Sequence, residues 1–315
     1  MKIFLTNVFI VIFISVNISY SQSFTGIEDT LFSGNFLRTD LYNDVNAANL
    51  YSVANYNYNF NKFGVSVGNN YLSNVSKLNQ NFFRDYNKFR FLFYYNVKNN
   101  IDVGLGFQNA FLTDDKNVET NKNNTSFYFT DINMRFNNNI LIDTKLGYRT
   151  EDQIGELSSG FSAILTGQAN NFFYSDYLIN ANTILFYEDL YQKNNHNFDL
   201  NVSVFKRFTS EADNKGTIRF YSLRNDFFFP ATAGIINLYN IINNIETRTE
   251  NYFFVGDNLN YSLAQNLQLS LNGSYLNREV NKEFKYHTSS ANILLENNYD
   301  TKILEDNLEF SGTLN

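Results

Sequence analysis

From Phe89 to Val97 apolar residues fall on every second position. Phe89, Phe91, Phe93, Tyr95 and Val97 share one parity, and Arg90, Tyr94 and Asn96 the other. A strand sends successive side chains to opposite faces, so this order predicts a ribbon greasy on one side and wet on the other. The pattern recurs along the chain. Ile101, Val103, Leu105, Phe107 and Phe111 alternate with Asp102, Gly104, Gly106 and Gln108, and Tyr128, Ile132, Met134 and Phe136 with Asp131, Asn133 and Arg135. Ile142, Leu146 and Tyr148 oppose Asp143, Lys145 and Arg149. Phe198, Leu200, Val202, Val204 and Phe208 oppose Asp199, Asn201, Ser203 and Arg207, and Leu267, Leu269, Leu271 and Tyr275 oppose Gln268, Ser270, Asn272 and Ser274. Such segments run about 10 to 13 residues, longer than the roughly 5 or 6 of soluble strands. A tilted strand crosses a bilayer in about 9 to 11 residues.

The connections predict two unlike ends. Asn-rich turns at 61–62, 98–100, 137–139 and 264–266 are short, and Asn tolerates the left-handed backbone a tight turn needs. Between them, 76–86, 114–124, 151–156 and 277–287 read as longer polar loops. Tyr58, Phe60 and Phe63 flank the first turn, where a membrane strand places interfacial aromatics. In these features the chain resembles bacterial outer-membrane β-barrels as a class. The resemblance is architectural, covers most of the chain beyond its start, and brings no functional residues with it. It implies an all-β fold, an antiparallel transmembrane up-and-down barrel of roughly 14 to 16 strands. Its partners would be outer-membrane lipid and the barrel assembly machinery.

The chain starts with Met1-Lys2 and the apolar run Ile3 to Ile14, followed by Ser19-Tyr20-Ser21. That order predicts a cleavable signal peptide over 1–21, with 22–315 as the barrel and the cell outer membrane as its destination. Counting from the first turn, with an outward strand between Phe24 and Phe36, leaves the last strand running outward. Bacterial barrels have even counts. The expectation is therefore a barrel truncated at its C-terminus, or a miscount between Gly167 and Asn195.

Composition narrows the classes. The 315 residues hold 33 Phe and 22 Tyr but no Cys, no Trp and one proline, Pro230. A disulfide framework and thiolate chemistry are excluded, and the aromatic content argues against disorder. Charged residues make up 17%, below the roughly 25% of a soluble domain. Scattered Lys and Arg with a net charge of -7 argue against nucleic acid. His196 and His287 read as loop residues without an identifiable catalytic or metal partner, so neither an enzyme nor a cofactor is expected.

The predicted wet face carries Arg90, Asp102, Asp131, Arg135, Asp143, Lys145, Arg149, Asp199 and Arg207 as candidate lumen-lining residues. Rings of one sign select ions. The mixed signs here fit better a cross-strand ladder of opposite charges that partly fills a lumen. The stretch from Phe227 to Ile245 does not alternate, and its apolar spacing at Ile235, Leu238, Ile241 and Ile242 suits a short helix at the barrel mouth as well as an apolar loop. The expected role is porin-like solute transport. The alternative is a surface or envelope protein that binds a partner through its loops, or a component of a secretion complex.

Overall fold

The computed structural model describes residues 35–77, 81–114, 122–136, 139–153, 155–230, 243–286 and 301–314. The expected signal peptide, the 231–242 stretch and His287 lie outside them. Fourteen strands follow one another in the chain: β1 (Phe36–Asn43), β2 (Ala47–Phe60), β3 (Phe63–Lys77), β4 (Asn81–Lys98), β5 (Ile101–Asp114), β6 (Asn123–Phe136) and β7 (Ile140–Gln153). They continue as β8 (Glu156–Tyr174), β9 (Tyr177–Leu190), β10 (Lys193–Arg207), β11 (Ala212–Pro230), β12 (Asn243–Ala264), β13 (Leu267–Tyr286) and β14 (Thr301–Leu314). They form a single sheet in sequence order. Each strand lies antiparallel to the next, an up-and-down meander.

Most strands have 14 or more residues, and β12 has 22. Several expected loops are instead strand. The 76–86 loop shrinks to the gap between Lys77 and Asn81, 151–156 to the turn between Gln153 and Glu156, and 277–286 is the second half of β13. Polar residues outside an apolar belt still pair in a ladder, so loss of apolar alternation is not loss of strand. The expected direction of the last strand is also corrected. β14 runs toward the end that carries the 61–62, 99–100 and 265–266 turns, and the described count is even. The 167–195 region, where the count was least certain, resolves into β8 and β9 around a turn at Ser175. The two ends differ less in loop length than the sequence implies, because the 44–46 and 191–192 connections at the far end are short as well.

Register assigns every side chain to a face. One row of partners runs Asn96, Asp102, Asn133, Asp143, Thr166, Ile184, Asp199, Tyr221, Tyr252, Arg278, Glu305. It starts beside the Lys98 turn, at the short-turn end of β4 and β5, and reaches β14 four residues from its opposite end. Strands so staggered are the geometry of a tilted, barrel-like sheet. Among the described residues β1 and β14 each pair on one side only.

The opposite face is apolar and open. Tyr58, Phe60, Phe91, Phe93, Leu105, Tyr128, Leu146, Tyr148, Phe161, Leu200, Phe220, Phe253 and Leu271 are all exposed on it. Their rings contact one another across strands, as in Phe63 with Tyr95 at 5.0 Å and Phe107 with Tyr128 at 4.9 Å. Burial belongs to the polar face, which is not uniformly polar. Val53, Ala110, Phe127, Phe129, Phe186 and Leu190 point the same way as the charged residues and are buried. Large residues fit there because small ones sit beside them. A Cβ added to Gly106 would lie 2.3 Å from the Phe129 ring, and one on Gly64 would lie 2.1 Å from Tyr94. Gly104 and Gly106 thus allow close packing on this face.

A charged staircase on the polar face

All nine candidate residues lie on the polar face of the sheet, Arg90 opposite Gln108, Asp131 opposite Lys145, and Arg207 opposite Asp213 at the end of β10. The structure brings some of them together. Arg135 pairs with Asp102 at 3.3 Å and Lys145 with Asp143 at 2.5 Å. Asp199 meets Arg219 of β11 at 3.2 Å, a partner the alternation had not singled out. Asp131 is buried beside Asp143, and each keeps an Oδ1 without a hydrogen-bond partner. Arg135 with Asp102 and Arg219 with Asp199 neutralise each other across neighbouring strands, whereas Lys145 and Asp143 do so along β7.

The most connected cluster centres on β7. Arg149, Glu151 and Gln153 occupy successive polar-face positions, and each crosses the face of β8 to a different strand. Arg149 reaches β9, its Nη1 2.5 Å from Glu188 Oε1. Glu151 reaches β10, where it pairs with Lys193. Gln153 reaches β11, accepting from the Phe228 N–H at 3.1 Å and donating to its carbonyl at 3.2 Å. On the polar face of β8, Gly160 and Ser158 lie opposite Arg149 and Glu151, with Ser162 next along, and Glu156 lies opposite Gln153. A Cβ on Gly160 would lie 1.9 Å from the Asp189 carbonyl, so β8 and β9 approach closely here. Small residues on one strand thus let long side chains of its neighbour lie across it.

Further bonds tie the three rungs together. Lys193 Nζ also donates to Gln153 Oε1 at 3.3 Å and sits 5.4 Å from the centre of the Phe228 ring. Asn123 donates to Glu151 at 3.2 Å. Asn195 donates to Glu188 at 3.2 Å while its carbonyl oxygen accepts from the Asp226 N–H at 2.7 Å. Arg149 also lies over the Phe186 ring, 5.9 Å from its centre. The Lys193 and Glu188 side chains are only 2% and 3% exposed. A charge so buried is tolerable only when paired and hydrogen-bonded, and both are. Arg149 Nε and Ser158 Oγ are buried without a partner.

Sequence reasoning missed Glu151, Gln153, Glu188 and Lys193. The first two fell in an expected loop and the others in the region of uncertain count. A signal was present: Lys145, Arg149, Glu151 and Gln153 keep one parity, as do Ser158, Gly160 and Ser162.

His196, expected in a loop, stands in β10 on the opposite face, stacked on Phe198 at 5.0 Å. Its Nε2 is 3.3 Å from Ser222 Oγ, but Ser222 donates its proton to Asn251 at 2.8 Å. That hydroxyl is therefore not directed to the imidazole as a triad nucleophile would be. No cluster of three or more metal-ligating side chains occurs among the described residues. No helix among them is long and apolar enough to cross a membrane, which says nothing of strands.

No protein-family model matches the chain, and no curated protein matches it.

Proposed function

We propose that this protein is an exported outer-membrane β-barrel through which small polar solutes pass. One observation carries the reading. A single meander of long strands exposes a continuous aromatic and aliphatic face and collects its charges on the other. An exposed apolar surface of this extent needs lipid or a partner to cover it, and only a closed ring of strands leaves no unpaired edge in a bilayer. Closure needs β1 to pair with β14. They run in opposite directions, as an antiparallel pair must, and both follow the same alternation. Arg38, Asp40 and Tyr42 of β1 share the polar face with Glu305, Asn307 and Glu309 of β14, while Leu37 and Leu41 share the apolar face with Leu304, Leu308 and Phe310. Outer-membrane lipid and the assembly machinery that inserts such barrels are the partners this reading requires.

The staircase favours a second reading, because buried side chains of β7 occupy part of the polar face. A barrel filled in this way would serve the envelope without conducting, binding a partner at its long-connection end.

Two measurements test these readings. A barrel stays with the outer membrane after high-salt washing, whereas recovery in the wash would end the membrane reading. In planar bilayers, stable channels support solute passage, and folded protein without conductance supports the second reading.

A further inference from the structure

We propose that the β7 staircase is a fixed constriction that limits by size, not by charge, what enters from the long-connection end. The proposal rests on the transport reading above. Its first support is reach. Arg149, Glu151 and Gln153 contact β9, β10 and β11 in turn, one strand further at each step. Side chains of ordinary length span such intervals only where the wall curls tightly inward, and Ser158, Gly160 and Ser162 make room for that curl.

The second support is the short β9–β10 hairpin. β9 ends at Leu190, opposite Gly160, leaving the first residues of β8 beyond its reach. β10 begins at Lys193, whereas β11 continues to Pro230 beside β12. The β11 edge past Arg224 therefore has no ladder partner on that side, and the side chains of Asn195 and Gln153 take its N–H groups at Asp226 and Phe228. The polar-face wall is thus closed above the hairpin by side chains rather than by backbone.

The third support is charge. Arg149 and Lys193 are matched by Glu188 and Glu151, so the ion-paired rungs carry no net sign, with Glu156 opposite Gln153 beside them. Ion-selective constrictions collect one sign. Neutral, hydrogen-bonded rungs exclude by shape.

The test uses the mature chain in planar bilayers and in sugar-loaded liposomes. The variants are Gln153→Ala, which removes the neutral rung, and the double variant Glu151→Ala with Lys193→Ala, which removes both charges together and leaves neither one buried alone. Folding is checked by heat-modifiable electrophoretic mobility. The expected result is a rise in conductance of about twofold in the double variant, a smaller rise for Gln153→Ala, and passage of larger sugars with unchanged anion-to-cation preference. A silent wild type with conducting variants supports the constriction as a full closure. A conducting wild type with both folded variants unchanged overturns the constriction and leaves the transport reading standing. If no form conducts, the transport reading fails and the constriction with it.

Discussion

The carboxamide of Gln153 bonds to both backbone groups of Phe228, accepting from the N–H at 3.1 Å and donating to the carbonyl at 3.2 Å. A side-chain amide carries the same donor and acceptor as a peptide unit. Gln153 therefore occupies the place a neighbouring strand would take along the free stretch of β11, a position where an open edge would recruit other chains. Gln153→Ala removes both bonds and is expected to cost about 1 to 3 kcal/mol, the range for a buried polar group left unsatisfied. Hydrogen exchange in detergent should show the Phe228 amide released while the Tyr221 and Tyr252 amides, deep in the ladder, stay protected.

Lys193 and Glu151 test the ionic rungs. Removing one member of a buried pair strands the other, at about 3 to 5 kcal/mol, whereas removing both costs far less. Lys193→Ala should accordingly destabilise more than the double variant with Glu151→Ala. The midpoint of urea unfolding followed by heat-modifiable mobility measures both. Equal losses would show the pair to be weakly coupled.

Glycine positions separate close approach from empty space. An added Cβ on Gly160 meets the Asp189 carbonyl at 1.9 Å, and one on Gly147 meets the Tyr128 carbonyl at 1.8 Å, whereas the nearest atom to one on Gly216 is 3.8 Å away. Gly160→Ala and Gly147→Ala should reduce the yield of folded protein sharply, and Gly216→Ala should leave it unchanged. Gly155, at φ +84° in the turn between β7 and β8, has open space around it. There Ala should cost about 1 kcal/mol through backbone strain alone.

These variants also show how far the sequence could be read. Alternation in segments such as Phe89 to Val97 gave the strand class and the two faces, because a sheet with one apolar and one polar face forces a period of two. It could not give strand ends, because beyond the apolar belt both faces are polar, as at Arg278, Glu279 and Lys282 in β13. The nine charged positions were legible as one face. Their partners were not, because Arg149 to Glu188 and Glu151 to Lys193 depend on how the sheet curls over Ser158 and Gly160, which no local pattern records. Phe127 and Phe129 belong to the same problem. They are apolar residues on the polar face, placed there by packing beside Gly106 rather than by the alternation.

The turn between β1 and β2 makes a pH prediction outside the strands. The Asp44 carboxylate accepts from the Tyr42 hydroxyl at 2.8 Å and from the N–H groups of Ala47 and Asn46, both at 2.7 Å. These bonds hold it below its ordinary value, the Tyr42 bond contributing most and Ala47 next. A carboxyl depressed on folding stabilises the turn fully above its unfolded value of about 3.9 and loses that contribution as pH falls through the folded value. The protection factor of the Ala47 amide, corrected for its intrinsic exchange rate, should fall in acid in the native chain. In Asp44→Asn the acid dependence should vanish.

The claim on which all of this rests is that the sheet separates lipid from water, apolar face outward. Spin labels at single cysteines from position 88 to 95, introduced into a chain that has no cysteine, measure it directly in reconstituted bilayers. Collisions with dissolved oxygen should peak at 89, 91, 93 and 95 and fall at 88, 90, 92 and 94, a clean period of two. Flat oxygen accessibility along β4, or peaks at the positions of Lys88 and Arg90, would contradict the account.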